Sequence, residues 1–309
     1  MTNHSLQLPL IAFLPVAALF VACSGDDSAD SNDTGGTDTG ATSTGATSTG
    51  ATSTSGGTTS TSAGDSTGAT GATGQGAAQN AGGADSGALG PAPVLLGSAE
   101  GYAILAKSAV ANVPTSVVTG DLGLSPAAAS YITGFSLTKA GTRWTSRQVV
   151  GDVFAANNDP PTPTTLTTAV ADMQTAYVDA AGRKSADFLN LGGGAIGGLT
   201  LEPGLYKWTS TVTIPDDVTL AGSADAVWIF QVTGDLKLSA DKEMILSGGA
   251  RPANIFWQVA GEVDLGATSH AEGIVLAKTA ITLETGSSIN GRLLAQTAVN
   301  IAGASVTQP

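Results

Sequence analysis

Hydrophobic residues are distributed unevenly along this chain, and they divide it into three stretches. Residues 6–22 are almost wholly apolar, whereas no apolar side chain larger than Ala occurs between Ser24 and Leu89. From Val94 to Pro309, short apolar runs alternate with polar stretches that contain Gly, a pattern typical of short strands joined by tight corners. The pattern predicts one folded domain over residues 94–309, a length that supports one sizeable core.

One segment of this domain has helical periodicity. Apolar residues recur there at steps of three and four positions, at Leu166, Val170, Met173 and Tyr177. This spacing predicts a helix with one apolar stripe packed on the strands. Thr162 before Pro163 is typical of an N-cap followed by the first helical position, and Gly182 is expected to end the helix.

The C-terminal part of the chain repeats at short intervals. Residues 273–283 (GIVLAKTAITL) align with residues 291–301 (GRLLAQTAVNI) at an offset of 18, and the same offset leads back to residues 255–265 (IFWQVAGEVDL). Related runs start at residue 229, at an offset of 27, and at residue 205, at a further offset of 24. Such spacing, with short strands and corner glycines, predicts a β-solenoid whose turns stack their apolar side chains.

Alternation within each repeat predicts which side chains point outward. Ile281 and Leu283 are expected inside, so that Ala280 and Thr282 face out, and the same logic turns Ala298 and Asn300 outward in the next repeat. Charged residues hold the equivalent positions of the two preceding turns: Asp235, Lys237, Glu262 and Asp264. The uncharged surface is thus predicted to span two turns, and to grow if the segment at Ser108 packs beside the last turn.

Composition and charge exclude several classes of function. The net charge is −13, and all twelve Lys and Arg residues lie at Lys107 or later, without a basic cluster. An acidic chain of this kind is not expected to bind nucleic acid. One Cys excludes disulfides within the chain and Cys-based metal sites, and His270 is the one His beyond the leader. We expect no cofactor, no metal and no catalytic residue.

The apolar leader predicts secretion. Residues 6–22 are short for a membrane span, contain Pro9 and Pro15, and end in small residues, which favours a signal peptide over residues 1–22. The run FVACSG at residues 20–25 resembles the lipobox of bacterial lipoproteins. That resemblance implies cleavage before Cys23 and lipidation of this residue, which would anchor the protein in a membrane. The alternative is an ordinary signal peptide followed by a chance Cys.

Residues 23–93 are predicted to form a disordered linker after the anchor. Residues 24–93 consist mainly of Ser, Thr, Gly and Ala, with seven Asp and no Lys or Arg. This composition buries too little apolar surface to offset the entropy of ordering. Ser24 after the Cys, with no Asp beside it, favours export to an outer membrane where the cell has two. We expect a lipid-anchored domain at the bacterial surface or, as the alternative, an extracellular protein.

Several segments together resemble the DUF3494 ice-binding proteins. They are LGSAEGYAILA (96–106), VTGDLGLSP (118–126), LEPGLY (201–206), AVWIFQV (226–232), NIFWQV (254–259) and NGRLLA (290–295). The resemblance implies an all-β solenoid: an irregular right-handed β-helix of triangular section, with one long α-helix packed alongside. It also implies a non-enzymatic, antifreeze-type protein, here expected as a monomer. Such a protein adsorbs to an ice crystal through a flat solenoid face, slows ice growth or recrystallisation, or holds cells to ice.

In several members of that family the ice-binding face carries the motif Thr-Ala/Gly-x-Thr/Asn. Residues 279–282 (TAIT) and 297–300 (TAVN) match it, and residues 108–111 (SAVA) and 210–213 (STVT) are looser versions. The linker also matches this motif five times, so a match alone does not indicate ice binding. A match indicates it only where the residues occupy equivalent positions on adjacent turns of the solenoid. The candidate ice-contacting residues are Ser108, Thr211, Thr213, Thr279, Ala280, Thr282, Thr297, Ala298 and Asn300. The alternative for them is an ordinary exposed strand with high β propensity.

The sequence is compatible with two other classes of function. An enzyme built on a solenoid needs acidic groups in a groove, and Asp216 with Asp217 is the most suggestive pair, although turn formation after Pro215 explains it. A surface adhesin that binds a glycan or a protein partner suits the anchor and linker. Its sugar-stacking platforms would be Trp208, Trp228 and Trp257, although their apolar surroundings favour burial.

Overall fold

A computed structural model describes residues 89–309. The predicted signal peptide, Cys23 and the linker up to residue 88 lie outside the described residues. Within residues 89–309, no helix is both long and apolar enough to cross a membrane.

Short strands make up most of this part of the chain. In chain order they are β1 (Tyr102–Ala106), β2 (Ala109–Val113), β3 (Val117–Thr119), β4 (Asp121–Leu124), β5 (Ile132–Thr133), β6 (Thr138–Ala140), β7 (Arg143–Thr145), β8 (Val149–Val150), β9 (Val153–Ala155), β10 (Phe188–Leu189), β11 (Thr200–Leu201), β12 (Gly204–Trp208), β13 (Val212–Ile214), β14 (Val218–Ala221), β15 (Trp228–Val232), β16 (Leu236–Leu238), β17 (Met244–Ser247), β18 (Ile255–Val259), β19 (Val263–Leu265), β20 (His270–Ala277), β21 (Ile281–Leu283), β22 (Ser288–Ala295), β23 (Ala298–Ala302) and β24 (Ser305–Thr307). The helix α1 covers Thr162–Gly182, and short 3-10 helices lie at Gly97–Gly101, Ala129–Tyr131, Leu191–Gly194 and Pro252–Asn254.

The described strands form three sheets, as a solenoid with three sides requires. A sheet of fourteen strands carries α1 on its outer side and is called the helix-covered sheet. A sheet of seven strands, called the open sheet, has the order β13-β16-β19-β21-β23-β2-β5, and a third sheet has the order β11-β14-β17. All pairs are parallel except β6 with β7 and β7 with β9. This confirms the predicted all-β solenoid with a helix alongside.

The register of the open sheet agrees with the sequence repeats. Thr282 pairs with Asn300 and Asp264 with Thr282, the same positions that the two closest repeats align. Lys237 pairs with Asp264 and Thr213 with Lys237, as the two wider offsets predict. Because parallel strands in register place equal positions side by side, each repeat position becomes a column that runs up the face.

The first turn of the domain stacks on the last one. Strand β1 pairs with β22, with Ile104 opposite Leu293, and β2 pairs with β23, with Ala111 opposite Asn300. Strand β5 then extends the open sheet, with Thr133 opposite Ala111. The Ser108 segment therefore packs beside the last turn, which enlarges the predicted uncharged surface.

Two apolar layers hold the fold together. Inside the solenoid, columns of buried Val, Leu and Ile stack with aromatic rings, and the ring centroids of Phe230 and Trp257 lie 3.9 Å apart. The second layer lies between α1 and the outer side of the helix-covered sheet, where Leu166 and Met173 pack with Ile229 and Phe256. Strands of that sheet are consequently buried on both faces, which explains their continuous apolar runs.

The helix follows the prediction closely, except at its start. Leu166 and Met173 are fully buried, Val170 is buried and Tyr177 is half-buried, as the predicted stripe requires. Thr162 is the first helical residue and not the N-cap; its hydroxyl donates to the carbonyl oxygen of Thr142 at 2.9 Å. The N-cap prediction was wrong by one position, because the Thr162 hydroxyl has a tertiary partner instead of a helical one.

Ordered contacts begin upstream of Val94. The amide of Val227 donates to the carbonyl oxygen of Leu89 at 2.8 Å, and Arg183 donates to the carbonyl oxygens of Ala92 and Pro93. The boundary between Pro93 and Val94 therefore falls inside a segment that already contacts the domain. The backbone carbonyl oxygens of residues 89–93 make these contacts, so the side-chain composition of the segment could not predict them.

The stacked interior gives a stability prediction at Ile281. This residue is fully buried between Val263 and Val299 of the adjacent turns. Ile281→Asp should cost at least about 3–5 kcal/mol, because a charge without a partner enters the apolar column. Thermal unfolding followed by circular dichroism measures the loss. Thr282→Asp is the matched control, since it places the same charge on the outward side of the same strand, and its fold should survive.

Candidate functional site

The open sheet presents two columns of outward side chains, separated by one buried position in each strand. The first column runs through Thr213, Lys237, Asp264, Thr282, Asn300, Ala111 and Thr133. The second column lies two positions earlier along the chain in each turn, at or just before the start of the strand. It runs through Thr211, Asp235, Glu262, Ala280, Ala298 and Ala109. The buried position between them is always apolar, for example Ile281 and Val299.

Four adjacent turns of this sheet carry no outward charge in these columns. We call their outward residues the uncharged patch: Ala280, Thr282, Ala298, Asn300, Ala109, Ala111 and Thr133. The patch is twice as deep as the two turns predicted from the repeats, because β2 and β5 extend it. A shallow depression of about 580 Å³ lies along the first column of the patch and extends away from the second column to Val113, Glu284 and Ala302.

The corner residues of the motif lie just before these strands. Thr279 is half-buried, and its hydroxyl donates to the carbonyl oxygen of Gly261 in the preceding turn. Thr297 is exposed, and its carbonyl oxygen accepts hydrogen bonds from the amides of Lys107 and Ser108 at 3.0 and 2.9 Å. Thr297 and Ser108 thereby tie the last turn to the first at the rim of the uncharged patch.

The remaining two candidates lie apart from this patch. Thr211 and Thr213 belong to β13 and its approach, and the turns that contain Lys237 and Asp264 lie between them and Thr282. The structure therefore brings seven of the nine predicted residues together and separates the other two by two charged turns.

Comparison with known proteins identifies the family. Residues 104–307 match the model of the family described as Ice-binding-like. The chain is 50% identical to an ice-binding protein of Leucosporidium sp. (strain AY30), over 70% of this chain and 84% of that one. It is 51% identical to an ice-binding protein of Flammulina populicola, over 72% and 91% of the two chains.

This chain belongs to the ice-binding protein family.

Solved structures of family members share the fold. An antifreeze ice-binding protein from an Arctic yeast superposes with a TM-score of 0.70 at 50% identity, over 70% of this chain and 94% of that one. The DUF3494 domain of ice-binding protein 1 from Shewanella frigidimarina gives a TM-score of 0.66 at 27% identity, over 71% and 98% of the chains. These relatives of the ice-binding family are named for ice binding and not for a catalysed reaction.

One member of the uncharged patch carried no sequence signal. The interval from Ala111 to Thr133 matches none of the repeat offsets of the chain, and β5 is too short to show alternation. Only the pairing of β5 with β2 adds Thr133 to the column. The exposed Val113 at the edge of the patch was missed for a related reason, because it extends β2 beyond the end of the motif.

Charged residues below the patch of this ice-binding protein stabilise the backbone. The Asp235 carboxylate accepts a hydrogen bond from the amide of Glu262 at 3.0 Å, and Lys237 lies 4.0 Å from the same side chain. Asp264 borders the patch directly, next to Thr282. Burial and the neighbouring Glu284 and Glu262 raise the pKa of Asp264, against the opposing effect of Lys237, and its Oδ1 has no hydrogen-bond partner among the described residues.

The sugar-platform hypothesis for the tryptophans was wrong. Trp208, Trp228 and Trp257 are fully buried in the solenoid interior. Their indole N–H groups donate to the backbone oxygens of Leu191, Leu201 and Glu272 at 2.8–3.2 Å. A ring whose faces pack against neighbouring core residues has no surface left for a sugar.

The acidic pair at residues 216 and 217 has local structural partners. Asp217 accepts a hydrogen bond from the amide of Glu243 at 3.0 Å, and Asp216 lies 3.3 Å from the Lys242 ammonium. Both carboxylates thus link neighbouring turns of the solenoid. No group of three His, Cys, Asp or Glu side chains in the described part of the chain is arranged to hold a metal ion.

His270 belongs to a polar network on another side of the solenoid. Its Nδ1 lies 2.7 Å from Ser288 Oγ and its Nε2 lies 3.0 Å from Glu272 Oε1, which also accepts from Asn290. The hydrogen bond and the charge of Glu272 raise the pKa of His270, against the opposing effect of burial. The network satisfies polar groups on β20 and β22, and it lies outside the open sheet.

The position of Asp264 predicts a pH-dependent stability effect. Its pKa in the folded protein is above the ordinary 3.8, so folding favours the protonated form. The charged form therefore lowers stability at neutral pH, and this penalty disappears as the pH falls through the raised pKa towards the ordinary value. Asp264→Asn should have a higher melting temperature than the unmodified protein at pH 7. This difference between the two proteins should be smaller at pH 4. Asp225→Asn, on a carboxylate outside the open sheet, is the control for general charge. A difference for Asp264→Asn that stays constant between pH 7 and pH 4 would contradict this prediction.

Proposed function

We propose that this chain is an antifreeze-type protein that adsorbs to ice through the uncharged patch of the open sheet. The observation that carries the proposal is the register of four adjacent turns, which sets Thr282, Asn300, Ala111 and Thr133 in one outward column. The ice-binding names of the relatives support it.

The spacing of the patch suits an ordered water layer. Adjacent parallel strands lie about 4.8 Å apart, and alternate residues along a strand about 6.7 Å apart, so outward side chains form a lattice. Threonine supplies a methyl group that repels water locally and a hydroxyl that anchors it. Its β-branched side chain has few rotamers, so this lattice exists before ice is met. Water ordered there joins a growing crystal with little reorganisation.

The lower boundary of the patch limits the contact area. Lys237, Glu262 and Asp264 occupy the next turns, and charged groups hold their hydration water in arrangements that do not match ice. The ice-contacting surface consequently ends at Thr282. We infer that the chain slows ice growth or recrystallisation with modest strength.

A pair of equal substitutions in one column tests this assignment. Thr282→Tyr should abolish most recrystallisation inhibition, because a bulky ring lifts the patch off the crystal. Thr213→Tyr is the matched control: it makes the same change in the same column, beyond the two charged turns, and should retain most activity. Thr282→Val keeps the shape and the methyl group and should lose less than Thr282→Tyr. Recrystallisation inhibition is measured beside circular dichroism for each protein.

Two outcomes would reject the proposal at different levels. Full activity of Thr282→Tyr with a native spectrum would assign ice binding to another face. Absence of the unmodified protein from slowly growing ice would remove ice binding altogether, and a non-enzymatic surface adhesin would take its place. The buried tryptophans already remove the most obvious glycan platforms from that alternative.

We also propose that the ice-binding domain is tethered to the bacterial surface through lipidated Cys23. The proposal rests on the apolar leader and on the position of the one Cys at its end. In a bacterial host, Cys23→Ala should release the protein from the membrane fraction or block cleavage of the leader. Ser24→Ala, at the adjacent position, should fractionate like the unmodified protein. Unchanged membrane association of Cys23→Ala would reject the lipid anchor.

A further inference from the structure

One side of the solenoid is neither covered by α1 nor part of the open sheet, and we call it the third side. It begins with the sheet β11-β14-β17 and continues through the first residues of β20 and β22, then through β24, β3 and β8. Its strands are parallel and in register, with Asn290 opposite Thr307 and Thr307 opposite Thr119. Outward side chains on this side therefore also form columns.

Three successive strands of the third side carry uncharged outward residues in two columns. Ile289, Val306 and Val118 are buried between the columns, so the residues on either side of each point outward. We call these outward residues the second face: Ser288, Asn290, Ser305, Thr307, Val117 and Thr119. The four in β24 and β3 are exposed, and the two in β22 are half-buried. Strand β8 adds Val150, which is 65% exposed, to the end of one column.

The second face lies on the same turns of the solenoid as the uncharged patch. Each of these turns contributes one strand to either side: β21 with β22, β23 with β24, and β2 with β3. Charged residues border both faces in the same preceding turn, which carries Glu262 and Asp264 on the open sheet and Glu272 on the third side. Outward residues of earlier turns are charged without loss of the fold, so folding alone does not require an uncharged zone on both sides.

Two acidic residues at the border of the second face have hydrogen-bond partners in the protein. Glu272 is 7% exposed, and its carboxylate accepts from Asn290 Nδ2 at 3.1 Å. Glu284 lies at the corner between the second face and the uncharged patch, and its carboxylate accepts from the amide of Ala267, in the preceding turn, at 3.2 Å. The four exposed residues of the second face lie on the two turns beyond these carboxylates.

The chemistry of the second face matches ice better than a protein or a glycan. Val117, Thr119 and Thr307 are β-branched, so their methyl groups occupy few positions. Their lattice, with spacings of about 4.8 Å and 6.7 Å, is the one that the uncharged patch has. Protein interfaces centre on aromatic residues and Arg, and none of the six positions carries either. A flat, uncharged array of methyl and hydroxyl groups fits a surface that is itself flat, uncharged and repetitive.

We propose that the second face is a further ice-contacting surface, so that this protein adsorbs to ice through two sides of the same turns. The inference rests on the proposed function, because it extends ice adsorption from the uncharged patch to the third side. The two faces point in different directions, so each contacts ice on its own. The activity that remains when the uncharged patch is blocked is assigned to the second face.

Uptake of the full chain into slowly growing ice tests this inference with single and double variants. Thr307→Tyr should lower uptake. Added to Thr282→Tyr, it should lower the remaining uptake at least about threefold, because independent faces contribute separately. Thr119→Tyr, on the neighbouring strand, should act like Thr307→Tyr and replaces it if that variant does not fold, which circular dichroism shows.

Thr219→Tyr is the matched control for these variants. Thr219 lies in the same outward column of the third side, and the turns that contain Ile245 and Glu272 separate it from the second face. Its side chain is half-buried and faces out between the buried Val218 and Leu220. Thr219→Tyr should therefore keep the uptake of the unmodified protein.

The possible outcomes separate this inference from the proposed function. Equal uptake of Thr282→Tyr with and without Thr307→Tyr would overturn the second face and leave the uncharged patch in place. Unchanged uptake of Thr282→Tyr, together with a loss in Thr307→Tyr, would reject the patch and support the second face. Dimerisation of the unmodified protein that Thr307→Tyr removes without a change in uptake would assign the face to contact between two copies and overturn the inference. Exclusion of the unmodified protein from ice would reject both faces.

Discussion

Parallel hydrogen bonding between successive turns is the constraint from which the rest of this structure follows. Each turn of the open sheet is in register with the next, so one sequence position becomes one column on the surface or in the core. The inward column, which includes Val263, Ile281 and Val299, must stay apolar because it is stacked and dry. The outward column can be polar, charged or apolar, because backbone pairing and the inward side chains already fix the positions of the strands. Surface chemistry can therefore vary without loss of the fold.

The helix α1 covers the outer side of one sheet, so that side of the solenoid is not available for contact with ice. Ile229 and Phe256 point outward from the helix-covered sheet and would be exposed without α1. Packing of Leu166 and Met173 on these residues removes that side from solvent. The side-chain amide of Gln231 connects the sheet to the C-terminal end of α1. It donates to the carbonyl oxygens of Ala180 and Arg183 at 2.8 and 2.9 Å. The open sheet, by contrast, has no described element packed on its outer side, and the residues of its uncharged patch are Ala, Thr and Asn.

A charged residue of the open sheet also forms a hydrogen bond with the backbone of the next turn. The Asp235 carboxylate bonds the amide of Glu262, which stabilises a corner between turns. At the equivalent corner of the last turn, the backbone carbonyl of Thr297 accepts two amides from the first turn. The uncharged patch lies where the first turn of the domain stacks on the last one.

The sequence by itself determined the solenoid, the helix stripe and the in-out pattern, because these depend on local periodicity. The repeat offsets reappear as register pairs, and Ile281 and Thr282 take the sides that alternation assigned. Tertiary structure decided that the Ser108 segment packs beside the last turn, a possibility that the sequence had left open. It alone decided that β5 extends the column of Thr282 to Thr133, because the interval from Ala111 to Thr133 matches no repeat offset. It likewise decided that Thr162 bonds Thr142 instead of capping the helix. Such contacts arise when distant segments meet, and no local pattern records which segments those are.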